Sequence, residues 1–341
     1  MSPMSDLPSQ APDGPVLVCG GAGYIGSHCV AALQARGVEV VVLDDLSTGH
    51  REAVTAPLVE ADLKDRDAIG EALRNHEPRA VIHFAAKCYV GESVTDPAKY
   101  YLENVHATWN LLEEMRAAGV RDIVFSSTCA TYGEPQEVPI PDGHPQNPIN
   151  PYGRTKLHME HMMSDYSRAY GMRYAALRYF NAAGASLDGS IGEDHDPETH
   201  LIPLVLQVAL GQRDRIRIFG DDYDTRDGTC IRDYIHVVDL ADAHLRALKH
   251  LQLDRGNLRC HLGTGKGFTV KEIIEAAREI TGHPIPAEIV PRREGDPAKL
   301  VSGGSRARDV LGWVPARGDV RDVIRDAWGF LSNHPGGYRA S

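Results

Sequence analysis

The chain has 341 residues, 42% of them hydrophobic, and a formal net charge of -11. This is the composition of a globular protein with a full core, and its acidity argues against generic nucleic-acid binding. The six cysteines (Cys19, Cys29, Cys88, Cys129, Cys230, Cys260) are scattered without a C-x-x-C pair, which points to a reduced cytoplasmic protein rather than a disulfide framework or zinc module. No apolar run is long enough to span a membrane, and no signal-peptide pattern opens the chain.

Residues 1–14 are rich in Ser, Pro and Asp and are expected to form a mobile tail. Val16 to Cys19 reads as a strand buried on both faces. Gly20-Gly21-Ala22-Gly23-Tyr24-Ile25-Gly26 follows, then a helical pattern to Arg36. Glycines between a strand and a helix let the backbone turn sharply and approach a pyrophosphate, while the helix start offers N–H groups and the positive end of its dipole. A second strand, Val38 to Leu43, ends in Asp44-Asp45. An acid there accepts hydrogen bonds from an adenine-ribose 2′-hydroxyl and repels a 2′-phosphate, so NAD is expected rather than NADP, held by Gly20, Gly23, Tyr24, Ile25, Gly26 and Asp44.

Strand and helix go on alternating. Pro57 to Val59 is a strand, with Ala61-Asp62-Leu63 at its end where adenine would lie. Asp65 to His76 is a helix, and Ala80 to Ala86 a strand running into a small-residue turn that brings Phe84, Ala85 and Ala86 to the cofactor path. Asp96-Pro97 caps a long helix to about Ala118, and Asp122 to Phe125 is a strand leading into Ser126-Ser127-Thr128. Asn150 and Pro151 suit the N-cap and first position of a helix that puts Tyr152 and Lys156, four residues apart, on one face. A phenol with a pKa of about 10 is a poor base at neutral pH. A nearby ammonium is expected to lower it and make the pair an acid/base. Tyr174 to Leu177 is the next strand. The fold expected is α/β, a doubly wound parallel (Rossmann) sheet with ligands at the strand C-termini.

After Phe180 the periodicity loosens. Residues 185–200 read as loop, Pro203 to Leu210 as helix, Arg217 to Phe219 as strand and Asp221 to Asp233 as a ligand loop. Helices are expected at Val238 to His250, Thr269 to Thr281 and Val320 to Leu331. The domain assignment is 15–182 with 233–260 for NAD, and 183–232 with 261–335 for a smaller, interleaved α+β substrate domain.

Six motifs in this order resemble the extended short-chain dehydrogenase/reductases, and within them the nucleotide-sugar 4-epimerases. They are Gly20 to His28, Phe125 to Thr128, Asn150 to Lys156, Arg178-Tyr179-Phe180-Asn181, Asp227 to His236, and Arg292-Arg293-Glu294-Gly295-Asp296. The resemblance covers nearly everything from Val16 to Pro315. It implies reversible NAD-dependent epimerisation at C4 of a UDP-hexose through a 4-keto sugar, with UDP-glucose and UDP-galactose the favoured pair. UDP-N-acetylhexosamines, UDP-pentoses and UDP-uronic acids are the alternatives. Tyr152 would be the acid/base at the 4-hydroxyl, Thr128 would bond the same oxygen, and Lys156 would hold the nicotinamide ribose. Asp62, Leu63, Asn104, Ser126 and Phe180 would join the NAD contacts. Asn181, His200, Leu201, Phe219 and Leu300 would meet the substrate, Arg232 and Arg293 its diphosphate, and Asp296 the uridine ribose. A homodimer through the helices that start at Pro97 and Tyr152 is also implied.

Three positions depart from the family pattern. Cys88 stands where a lysine is common, leaving Lys87 as a cofactor contact. His200 replaces an asparagine at the diphosphate, and a neutral histidine can still donate one hydrogen bond. Leu300 replaces a tyrosine that closes the sugar pocket, which implies tolerance of N-acetylated sugars. A 4,6-dehydratase would need acids just after Thr128, where Cys129-Ala130-Thr131 stand instead. No metal is expected: His158 with His161, and Asp194-His195-Asp196 with His200, lack a third ligand at convincing spacing. Cys129 reads as a packed thiol.

Overall fold

The computed structural model describes residues 11–293 and 296–340. Residues 1–10 of the expected tail, and Glu294-Gly295 of the last motif, lie outside the described residues. Within the remainder of that tail, Ala11 packs against the core and Asp13 is bonded to Gln252.

The larger sheet takes strands β1 (Val16–Cys19), β2 (Val40–Asp44), β3 (Leu58–Glu60), β4 (Ala80–His83), β5 (Asp122–Thr128) and β6 (Arg173–Tyr179). The short strands β7 (Asn181–Ala183), β8 (Ile216–Phe219) and β9 (Ile231–His236) lie outside it, and β10 (Leu258–Leu262) returns to it. The seven-stranded order is β10-β6-β5-β4-β1-β2-β3, and every pairing is parallel. β1 is a fully buried apolar run, and β4 is buried throughout and apolar up to His83, as strands covered on both faces must be.

Helices cover both faces. On one side lie α1 (Tyr24–Gln34) and, from later in the chain, the helix Val237–Gln252, which share a core with Val16, Val18 and Leu262. On the other lie α2 (Arg66–His76), a long run from Val90 to Ala118, and the helix Pro151–Tyr170, packed through Leu111, Met115, Met159 and Met163. That long run is broken: Val90–Thr95 and Pro97–Tyr100 are helical, Tyr101–His106 is a π-helical segment, and Ala107–Ala118 is α-helix. This is the doubly wound α/β fold. Its order reverses between β1 and β4, which opens a crevice at the strand C-termini.

The remaining strands build a smaller mixed layer. β9 pairs with β7 and with β13 (Lys299–Leu300) in parallel and with β11 (Gly267–Thr269) antiparallel, while β8 pairs with β12 (Ala287–Val290). A separate core built on Leu206, Ile218, Ile274 and Ile324 holds this part together. Two expectations are corrected. The strand from Ala80 ends at His83, because Phe84 and Ala85 turn back to bond Cys19 O. The segment read as a ligand loop to Asp233 becomes strand β9 from Ile231, its charges satisfied across the layer: Asp233 accepts from the N–H groups of Thr264, Gly265 and Ser302.

Candidate active site

The glycine loop is tight because it has to be. Gly20 lies at φ +76°, and a Cβ there would stand 2.4 Å from Ala85 N; one on Gly26 would stand 2.1 Å from Gly20 O. The loop thus folds back against the turn after β4 and delivers the start of α1 to the crevice. Gly23 precedes that helix without a side-chain cap, so the first-turn N–H groups keep their positive end for an anion. Asp44, at the end of β2, accepts from Ala22 N and Leu46 N, each at 2.9 Å. Its carboxylate is therefore fixed beside the glycine loop with lone pairs to spare. Tyr24 reaches across to donate to Gly184 O at 2.7 Å. A nicotinamide dinucleotide fits this set: an uncapped helix start for the pyrophosphate, close backbone approach, and an acid for the ribose.

Asp62 and Leu63 follow β3 at the same edge, where Ala61 N bonds Asp44 O. Asn104 sits in the π-helical segment and is fully buried. Its amide bonds Lys87 O and Thr155 Oγ1 at 3.0 Å, and its carbonyl accepts from Lys87 N at 2.8 Å. It acts on the site by locking the turn that carries Phe84, Ala85 and Ala86. Lys87 itself donates to Ser47 Oγ.

The reacting end is assembled by β5 and the helix from Pro151. Asn150 caps that helix by accepting from Gly153 N at 2.9 Å, and Pro151 occupies its first turn. Tyr152 lies half-buried near Thr128, whose hydroxyl accepts from Ala130 N at 3.1 Å. Lys156 is 3% exposed, donates to Ser126 O at 2.9 Å and lies 4.9 Å from the Phe125 ring centroid. Burial pushes its ammonium down to about 8, against an opposing pull from Cys88 and Glu160.

The expectation that Lys156 lowers the Tyr152 pKa is corrected for the protein by itself. Burial, reinforced by nearby Cys88 and Tyr179, drives the phenol well above its ordinary range, and the Thr128 hydroxyl opposes this only in part. Helical spacing put Tyr152 and Lys156 on one face, but the ammonium is engaged by a strand carbonyl. Cys129 is buried with its thiol pushed up to about 12, mainly by burial, so it is no nucleophile at neutral pH.

Sequence reasoning did not find the network behind these residues. Glu160, two turns beyond Tyr152, and Arg178, on β6, form a buried bidentate pair, with Arg178 Nε 2.9 Å from Glu160 Oε1. Ser127 Oγ donates to Glu160 at 2.6 Å, and Arg178 Nη1 donates to Tyr132 Oη at 2.8 Å. The pair clamps the strand carrying Ser126, Ser127 and Thr128 to the helix carrying Tyr152 and Lys156. The one signal in the sequence was Arg178 interrupting the otherwise apolar interior of its strand, which marks a buried charge without naming its partner.

On the substrate side, Phe180 and Leu300 pack with Cys129, Tyr132 and Ile140, so this wall adjoins Thr128 directly. Asn181 donates to Asp233 O at 3.1 Å. Arg232 and Asp296, assigned to different parts of a nucleotide, pair with each other here. Arg293 stacks over Phe219 with 3.8 Å from guanidinium to ring centroid. Leu201 opens the helix Leu201–Ala209, and His200 stands at its N-cap position beside Glu193 and Glu198.

A glycine loop after the first strand of a doubly wound sheet, with a threonine, a tyrosine and a lysine at the ends of neighbouring elements, defines a dinucleotide-dependent enzyme acting on a hydroxyl-bearing carbon. The chain belongs to the NAD dependent epimerase/dehydratase family, whose model matches residues 16–260. It is 53% identical over 324 residues to a UDP-glucose 4-epimerase of Halalkalibacterium halodurans, covering 95% of this chain and 97% of that one. The structure of the Brucella ovis UDP-glucose 4-epimerase in complex with NAD superposes with a TM-score of 0.91 at 51% identity, covering 94% of this chain and 98% of the other. The UDP-Glc/GlcNAc 4-epimerase of Campylobacter jejuni superposes with a TM-score of 0.82 at 41% identity, covering 94% and 99%. The protein is an NAD-dependent epimerase.

Proposed function

We propose that the chain interconverts the C4 epimers of a UDP-hexose, with UDP-glucose and UDP-galactose the favoured pair. The observation that carries this is the placing of Thr128, Tyr152 and Lys156 together at the mouth of a dinucleotide crevice, with no carboxylate following Thr128. NAD, when bound, would supply the hydride acceptor and donor for C4, so that the reaction has no net redox change.

The chain's residues do the remaining work. Gly20, Gly23, Tyr24, Ile25, Gly26, Asp44, Asp62, Leu63, Phe84, Ala85 and Ala86 shape the cofactor's berth, while Ser126 and Asn104 fix the elements around it. Tyr152 accepts the proton of the C4 hydroxyl and returns it after the sugar has turned. Thr128 holds that oxygen. Lys156 sets the positive charge on this side of the crevice. Because burial alone holds the phenol protonated, the phenolate that begins the cycle depends on the positive charge of the complete site.

Arg232 and Arg293 bind the diphosphate, for which planar guanidinium forks suit. Arg232 exchanges its Asp296 partner for phosphate oxygens, which frees Asp296 for the uridine ribose. Remote binding of the nucleotide leaves the sugar able to present either face. Leu300 gives the wall near Thr128 a small apolar side chain, and we assign to it a tolerance of a 2-acetamido group.

The functional unit is a homodimer: Tyr101, Leu102 and Trp109 are large apolar side chains left exposed on the run between Val90 and Ala118. Twice the chain mass in light scattering supports this, and a monomer refutes it. Among the described residues no helix is long and apolar enough to cross a membrane. With six free cysteines, we assign the protein to the cytoplasm. The test of the activity is the appearance of UDP-glucose from UDP-galactose. Product from a UDP-N-acetylhexosamine, a UDP-pentose or a UDP-uronic acid alone would reassign the substrate.

A further inference from the structure

The segment between β7 and the helix Leu201–Ala209 brings together four side chains, of which only His200 has been given a role towards the substrate. Glu193, His195, Glu198 and His200 each offer one potential ligand atom, and these atoms all lie within 4.8 Å of one another. The sequence reading set His195 and His200 beside Asp194 and Asp196; the fold brings in Glu193 and Glu198 instead. His195 Nδ1 stands 3.1 Å from Glu193 Oε1 and 3.6 Å from Glu198 Oε2. His200 Nδ1 stands 2.8 Å from Glu193 Oε1 and 3.1 Å from Glu198 Oε1. These separations lie around the value of about 3.4 Å that ligands of a tetrahedral ion adopt when each stands about 2.1 Å from it.

A second observation sets this apart from an ordinary charge cluster. Glu193 is 6% exposed, and its Oε1 finds no partner in hydrogen-bond geometry although two imidazole nitrogens crowd it. The buried Nδ1 of His195 is likewise without a hydrogen bond. Glu193 and His195 thus face each other at ion-pair distance, 3.1 Å, without hydrogen-bond geometry among the described residues. Glu198 is held in place from behind, accepting from the N–H groups of Thr199 at 2.6 Å and His200 at 2.7 Å. Supporting bonds of this kind orient metal ligands.

We propose that Glu193, His195, Glu198 and His200 form a binding site for a divalent transition-metal ion, zinc being the closest fit. Two imidazoles with two carboxylates select against magnesium and calcium, which prefer all-oxygen shells. The ion would be structural. Tyr24 of the glycine loop meets His195 edge-on, ring centroids 6.2 Å apart, and His50 lies 2.8 Å from Asp194 O. Clipping residues 193–200 together would therefore stiffen the flank of the nucleotide crevice. The proposal does not depend on which sugar is turned over.

The test uses the full chain without a histidine tag, treated with chelator and then titrated with zinc against a chromophoric indicator. One equivalent per chain is expected, with affinity lowered on the order of 100-fold in His195→Asn and in Glu198→Gln. Zinc should raise the thermal midpoint of the unmutated chain more than that of either variant. Cobalt on the unmutated chain gives a reading independent of how the variants fold. Visible d–d bands of a four-coordinate nitrogen/oxygen site, without a thiolate charge-transfer band, are expected. Non-stoichiometric binding, unchanged affinity in both variants, or a thiolate band implicating Cys88 would overturn the site. The four side chains would then be simple imidazolium–carboxylate pairs.

Discussion

Lys156→Met tests how the fold treats its active-site cation. In the unfolded chain this lysine keeps its proton to about pH 10.5. In the folded protein burial lowers that point to about 8, while the side chain stays 3% exposed and bonded to Ser126 O. The gap corresponds to about 3 kcal/mol of stability surrendered to keep a buried ammonium at neutral pH. The sign follows from proton counting. From about pH 8 to about pH 10.5 the unfolded state binds more protons at this site than the folded state, so stability rises with pH there. Below about pH 8 both states hold the proton and the contribution is flat. Equilibrium urea unfolding of NAD-free protein reads the effect. From about pH 8 to about pH 9.5 the wild type should gain about 2 kcal/mol relative to Lys156→Met, in which this titration is missing. Taking the difference cancels tyrosines and cysteines common to both. Parallel stability curves, or a wild type that loses ground as pH rises, would show that Lys156 is not the strained cation described here.

Tyr152→Phe keeps the ring and removes the proton carrier, so kcat should fall by about 100- to 10 000-fold with KM for the UDP-sugar little changed; steady-state kinetics decide. Arg178→Met leaves Glu160 buried and unpaired, costing about 3–5 kcal/mol in chemical unfolding, and adding Glu160→Leu should recover most of it. Equal losses in the single and double variants would show that the pair is not coupled. Leu300→Tyr should reduce turnover of UDP-N-acetylglucosamine at least ~10-fold relative to UDP-glucose, because one added ring fills the room that an acetamido group needs. Equal effects on both sugars would place Leu300 away from the 2-substituent.

What the sequence disclosed follows from how local each signal is. Asn150-Pro151 marks a helix start because the cap bond closes within three residues, and the structure has it between Asn150 and Gly153. The glycine loop is legible for the same reason: its constraints come from neighbouring backbone. β9 was missed because its pattern is written in distant partners. Asp233 looks like a loop residue until Thr264, Gly265 and Ser302 donate to it across the layer. Glu160 and Arg178 are 18 positions apart on a helix and a strand, and nothing in either neighbourhood announces the other. The Tyr152 case differs in kind. Spacing gave its neighbours, but the sign of its pKa shift is a balance between burial and charge, and only packing shows that burial prevails. Proximity in sequence groups His195 and His200 with Asp194 and Asp196, whereas the fold places Glu193 and Glu198 beside them.

The most direct test of the central claim is to incubate the purified protein with UDP-galactose and separate the products. UDP-glucose should form in the wild type and be nearly absent with Tyr152→Phe. If NAD is retained through purification, product forms without added cofactor; if it is lost, added NAD restores product. No UDP-glucose from the wild type in either condition would contradict the assignment of UDP-glucose and UDP-galactose as its substrates.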